Sequence, residues 1–128
     1  MVYSNLMSVA ELPGSDIDDA HAHAMVGKQF LSAAEDVFTF GAEARTLNDI
    51  LIHAKAPREI DFFSLDVEGV EVPLLEGVDH ERFRFRYLLV EARDLEKMSS
   101  YLQGRGYGFV KALSEHDYLF ADITGWKK

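Results

Sequence analysis

Apolar residues along this chain recur at two different spacings, and the alternation between them predicts its elements. Ala22, Met25, Val26, Phe30 and Leu31 fall at helical intervals, which predicts a helix from residue 18 to about residue 33. Pro13 and Gly14 break the chain ahead of it, and Ser15 or Asp16 stands where a helix cap would. Residues 37–44, VFTFGAEA, are rich in aromatics and alternate in part, as a short strand does. RTLNDILIHA is a second helix, with Thr46 as N-cap and Leu47, Ile50 and Leu51 on one face.

Pro57 and Arg58 interrupt the pattern, and EIDFFSLDV then reads as a strand buried on both faces. EVPLLEG is a short helix that tolerates Pro73 in its first turn and stops at Gly77. RYLLVEA is a second buried strand; RFRFR, residues 82–86, is the one candidate for a local basic patch, and its alternation suits an edge or entering strand at least as well. DLEKMSSYLQGRGY is a helix closed by Gly104 or Gly106. GFVKAL and DYLFADI form an antiparallel pair that turns at SEH.

From residue 45 the order is therefore α-β-α-β-α-β-β. Strands alternating with helices imply a parallel sheet with right-handed crossovers, here ending in an antiparallel hairpin. The expected fold is an open α/β sheet in one domain over residues 1–128, with a helix and short strand in 1–44 and the core in 45–122. In such sheets ligands bind beyond the carboxyl ends of the strands. Asp66 and Glu91 both fall there.

Composition narrows the partners. With 22 acids against 13 lysines and arginines the formal net charge is -9, which disfavours a nucleic-acid backbone as partner. The absence of cysteine excludes a disulfide scaffold, a thiolate metal site and a cysteine nucleophile. The first residues show no basic and apolar signal peptide, and no window has the length of a membrane span. A cytoplasmic protein without membrane contact is the default expectation.

The chemistry-bearing residues concentrate in SLDVEGVE, where Asp66, Glu68 and Glu71 follow an apolar run, with Glu91 and Asp94 after the next strand. Acids at a strand end bind a cation, hold hydroxyls or act as a general base, but they also cap helices. The bland reading of Glu91 is an ion pair with Arg86 or Arg93. His21 and His23 lie two apart, so on a helix they point away from each other and cannot share a metal. His53 and His80 read as surface or helix-end residues, and His116 as a turn residue beside Asp117. No dinucleotide fingerprint, phosphate-binding loop or nucleophile elbow occurs, and GRGYG follows a helix, so it is a helix stop.

Several stretches together resemble the FkbM-type methyltransferase family. IDFFSLDVEGVEVPLLEGVD is similar to its strand–Asp-Val-Glu-Gly-x-Glu signature, ARTLNDIL to its Thr-Leu-Asp segment with Asn48 in place of Asp, and YLLVEA, YLQGRGYGFV and HDYLF to its last strand, helix and hairpin. YSNLMS is similar to a serine-rich stretch after the family's third strand. The resemblance implies a Rossmann-like fold and S-adenosylmethionine-dependent O-methylation of a small-molecule or sugar hydroxyl. By that likeness Asp66 and Glu68 are catalytic, with Glu71 and Glu91 in the vicinity of substrate or cofactor.

The same resemblance implies a partial sheet that lacks the family's first three strands and their glycine-rich turn, so donor binding by this chain alone is expected to be weak. It also implies an open apolar edge on IDFFSLDV, and hence a homodimer or larger assembly through that edge. Two further readings stand beside the methyltransferase: a non-catalytic interaction module built on the same sheet, and a small metal-dependent hydrolase using the acidic rim.

Overall fold

The computed structural model describes residues 19–36 and 43–125. They belong to two compact units. One contains the described residues up to Ala44 together with Val67–Val70; the other contains Arg45–Asp66 and the chain from Glu71 onward.

In the first unit, helix α1 (Ala20–Gly27) is followed by a single 3-10 turn over Lys28–Phe30. Asp19 caps α1, its carboxylate accepting from the backbone N–H groups of His21 and Ala22, both at 2.9 Å. The helix is shorter than its apolar spacing predicts. Gly27 is a weak helix former, and Met25, Val26 and Phe30 are exposed, so no buried face sustains further turns. The expected caps at Ser15 and Asp16, and all but the end of the short strand expected at 37–44, lie outside the described residues.

The second unit opens with α2 (Leu47–His53), capped as expected by Thr46, whose Oγ1 accepts from Asp49 N at 3.1 Å. Leu47 and Leu51 are buried, but Ile50 is exposed, so the apolar face is narrower than the spacing implied. Strand β1 (Glu59–Leu65), helix α3 (Glu71–Glu76), strand β2 (Arg84–Glu91), helix α4 (Leu95–Gln103) and the hairpin β3 (Tyr107–Ala112) and β4 (Asp117–Asp122) follow in the predicted order. The sheet order is β1-β2-β4-β3. β1 and β2 run parallel, and β4 enters antiparallel between β2 and β3. RFRFR leads into β2, with Phe83 and Phe85 buried.

β2 is central and buries Phe85, Leu88 and Val90. Leu75 of α3, Met98 and Leu102 of α4, Tyr107 and Phe120 complete the core. β1 departs from the expectation of burial on both faces. Among the described residues it is an edge strand; Phe63 stacks on Phe85 at 4.8 Å, whereas Phe62 and its register partner Tyr87 are exposed.

The sheet is fastened at one end by Arg84. Its Nε donates to Asp122 Oδ2 at 2.8 Å, its Nη1 to the carbonyl of Arg105 at 2.8 Å and its Nη2 to the carbonyl of Gly106 at 3.3 Å. The guanidinium also lies over the Tyr107 ring, 4.3 Å from its centroid. Gly106 has φ +79, and a Cβ there would collide with Thr124 Cγ2, so this turn requires glycine. Nearby His80, expected as a surface or helix-end residue, is half-buried just beyond the end of α3; its Nε2 donates to the Leu75 carbonyl at 3.1 Å and its ring meets Tyr107 edge-on.

Two outcomes follow for stability. Replacing Arg84 by Leu strands the buried Asp122 carboxylate and should cost about 3 kcal/mol in urea denaturation; a loss under about 1 kcal/mol would contradict a fastening role. The pH dependence has a definite sign. Burial of His80 outweighs its Leu75 hydrogen bond and, with Arg105 and Arg84, holds the imidazole below its ordinary 6.5. Burial would raise Asp122, but the hydrogen bonds from Arg84 and Thr124 prevail and hold it below 3.8. Both contributions are complete above the unfolded values and are lost as pH falls through the folded ones. Stability should therefore decline from just below 6.5 downward, with a second loss below 3.8; His80→Gln should remove the first and leave the second.

Candidate functional site

β1 and β2 end side by side. Leu65 pairs with Val90 in the parallel register, so the next residues, Asp66 and Glu91, stand at the carboxyl ends of neighbouring strands. Across the antiparallel pairing Glu91 is opposite Asp117 on β4. Three acids thus span the ends of β1, β2 and β4, although like charges directly opposite on a sheet disfavour it. A rim that keeps them there concentrates negative charge at the end of the sheet where open α/β folds bind ligands.

The acids differ in what engages them. Asp66 is exposed and makes no hydrogen bond or ion pair with any described residue. Asp117 accepts from Ser114 Oγ at 2.6 Å, inside the hairpin turn that also contains His116. Asp94 caps α4 by accepting from Lys97 N at 2.9 Å, which is the bland role foreseen for an acid after a strand. Glu71 is buried at the first position of α3. Glu91 is half-buried and engaged; Arg86, one of its two expected partners, lies 3.9 Å from Asp61.

Glu68 belongs to the first unit. Its backbone is left-handed, with φ 57, and Gly69 follows at φ 96. A glutamate is uncommon there, because its Cβ crowds the carbonyl that glycine would leave clear. Its Oε1 lies 3.7 Å from His23 Nε2, an ion pair whenever His23 is protonated. The sequence carried no signal for this pair: the two residues are far apart in the chain, and His23 drew attention only through its spacing from His21. Among the described residues no three of His, Asp and Glu converge closely enough to hold a metal ion.

Asn48 ties the start of α2 to the segment that follows α3. Its backbone N–H donates to the Gly77 carbonyl at 3.0 Å, and its Oδ1 accepts from Asp79 N at 3.4 Å. Only an acceptor is used, so Asn serves where Asp would.

A family model for the methyltransferase FkbM domain matches residues 5–118. The chain belongs to the FkbM methyltransferase family. The match takes in every element from α1 to the start of β4 and includes the whole acidic rim. No curated protein and no solved structure gives a match. Membership of the FkbM family points to a methyltransferase-like function, and the described residues form a small α/β fold with a four-stranded mixed sheet. No helix among its described residues is long and apolar enough to cross a membrane.

The left-handed backbone at Glu68 gives a direct test of the turn. Glu68→Gly should be more stable than Glu68→Ala by about 1 kcal/mol, since both lose the His23 contact but only glycine relaxes the backbone. Thermal melts of the two variants compare them; an alanine variant at least as stable would exclude the strained turn.

Proposed function

We propose that this FkbM domain carries the acceptor side of an S-adenosylmethionine-dependent O-methyltransferase acting on a hydroxyl of a small molecule or sugar. The observation that carries the reading is Asp66: an exposed, unengaged carboxylate at the carboxyl end of β1, beside Glu91 at the end of β2. S-adenosylmethionine, when bound, supplies a methyl group on a positively charged sulfur. The rim fits that group in charge, because a row of carboxylates raises the local concentration of a cation.

Asp66 accepts a hydrogen bond from the acceptor hydroxyl and takes its proton as the oxygen is methylated. Holding the hydroxyl in one orientation adds the gain of proximity. Glu91 contributes negative charge at the adjoining strand end. The unpaired N–H and C=O groups of an edge strand suit pairing with another copy, so the active form is a homodimer joined through β1.

Asp66→Asn keeps the shape of the side chain and removes the base. Methyl transfer to a panel of sugar and small-molecule hydroxyls should fall about 100-fold or more, with the circular dichroism spectrum and melting temperature unchanged. Equal activity of both forms would refute the role of Asp66; absence of transfer and of donor binding by calorimetry in both would favour an interaction module. Light scattering should give twice the chain mass, and a monomer would remove the dimer from the proposal.

A further inference from the structure

The opposite end of the same two strands carries a surface depression of about 490 Å³, lined by Ile52, Lys55, Ala56, Arg58, Arg82 and Phe83. Lys55 to Arg58 lie in the connection between α2 and β1, and Arg82 and Phe83 immediately precede β2. These two segments are tied by the Arg84 N–H, which donates to the Arg58 carbonyl at 2.8 Å. Because β1 and β2 are parallel, this depression lies at their amino ends, away from Asp66 and Glu91.

Half of its lining side chains are cationic, in a chain whose net charge is -9. Among the described residues no carboxylate pairs with Lys55, Arg58 or Arg82, even though Glu59 and Glu81 are their neighbours in sequence. Other arginines are engaged differently: Arg84 with Asp122, Arg86 with Asp61. Three unpaired cations around one depression are held against mutual repulsion by the fold. Arg58 Nη2 donates to the Glu81 carbonyl at 2.8 Å, and the Arg82 guanidinium lies 5.3 Å from the centroid of the Phe83 ring.

Lys55 is placed at a cost. α2 ends with Lys55 N donating to the Ile52 carbonyl at 3.0 Å and Ala56 N donating to the Leu51 carbonyl at 2.9 Å. That is a Schellman ending, whose left-handed position glycine normally fills. Here Lys55 fills it, at φ 52. A cation near a helix C-terminus is favourable in itself, but that benefit does not require the left-handed residue to supply it.

We infer that this depression binds an organic phosphate. Paired guanidinium groups match phosphate oxygens with directed, charge-assisted hydrogen bonds, and Lys55 adds a point charge. Ile52, Ala56 and Phe83 provide the apolar wall for the body of the ligand, and the volume suits a molecule of nucleotide size. The site is separate from the acidic rim, so it does not depend on the methyl-transfer reading.

The test is a titration of the whole chain followed by amide chemical shifts, with phenyl phosphate, inorganic phosphate and hexaglutamate as probes. Phenyl phosphate should give saturable shifts confined to residues 54–59 and 81–84, with a Kd below about 1 mM, several-fold tighter than inorganic phosphate. Arg82→Gln and Lys55→Gln should each weaken it about tenfold with an unchanged spectrum elsewhere, and Lys111→Gln, on β3, should leave it unchanged. Lys55 makes no side-chain bond within the fold, so its variant remains informative if an arginine variant unfolds. The inference is overturned by shifts that do not saturate, by shifts spread equally to Lys97 and Lys111, by wild-type affinity in the Lys55→Gln variant, or by hexaglutamate binding more tightly than phenyl phosphate.

Discussion

The Arg84 guanidinium is the point on which the second unit turns. One side chain reaches the end of β4 through Asp122, the turn after α4 through the Arg105 and Gly106 carbonyls, and the core through Tyr107. Each of those groups would otherwise be a desolvated acceptor at the end of a sheet, where no ladder partner remains. Burial disfavours the charge, but the Asp122 hydrogen bond and carboxylate more than offset this and hold Arg84 firmly protonated. The planar fork makes all these bonds at once, which a lysine could not. With the hairpin locked to β2, the carboxyl ends of β1 and β2 and the amino end of β4 keep a fixed register, and the acidic rim lies along them.

The order of elements was legible because it depends on local chemistry. Thr46 caps α2, Gly77 follows α3 and the SEH turn joins the last two strands for reasons contained in a few residues. Burial was less legible, because it depends on what lies across from a residue. Phe62 looks like a core residue in its apolar run and yet faces outward beside Tyr87, because β1 is at the edge. His80 stands at a helix end, as its position suggests, but its half-burial was not legible, since its partners Leu75 and Tyr107 come from different elements.

The site divides along the same line. That Asp66 and Glu91 end neighbouring parallel strands followed from the alternation of strands and helices alone. That Asp94 is committed to capping, that Glu68 meets His23 and that Asp66 is left unengaged are tertiary facts, and together they separate acids which spacing treats alike. The basic depression was legible only in part: Arg82 belongs to the basic stretch RFRFR, but Lys55 and Arg58 lie far from it in sequence, and only the parallel pairing of β1 with β2 gathers the three.

The sheet order also ranks its strands by how firmly they are held. β2 and β4 are paired on both sides, whereas β1 is paired on one side only among the described residues. Within one chain β1 is therefore easier to open than β2 or β4. In native-state hydrogen exchange its amides should belong to a less protected cooperative unit than those of β2 and β4. The strand end bearing Asp66 then samples open states while Glu91 stays in the rigid centre of the sheet, which gives the rim one movable and one fixed side.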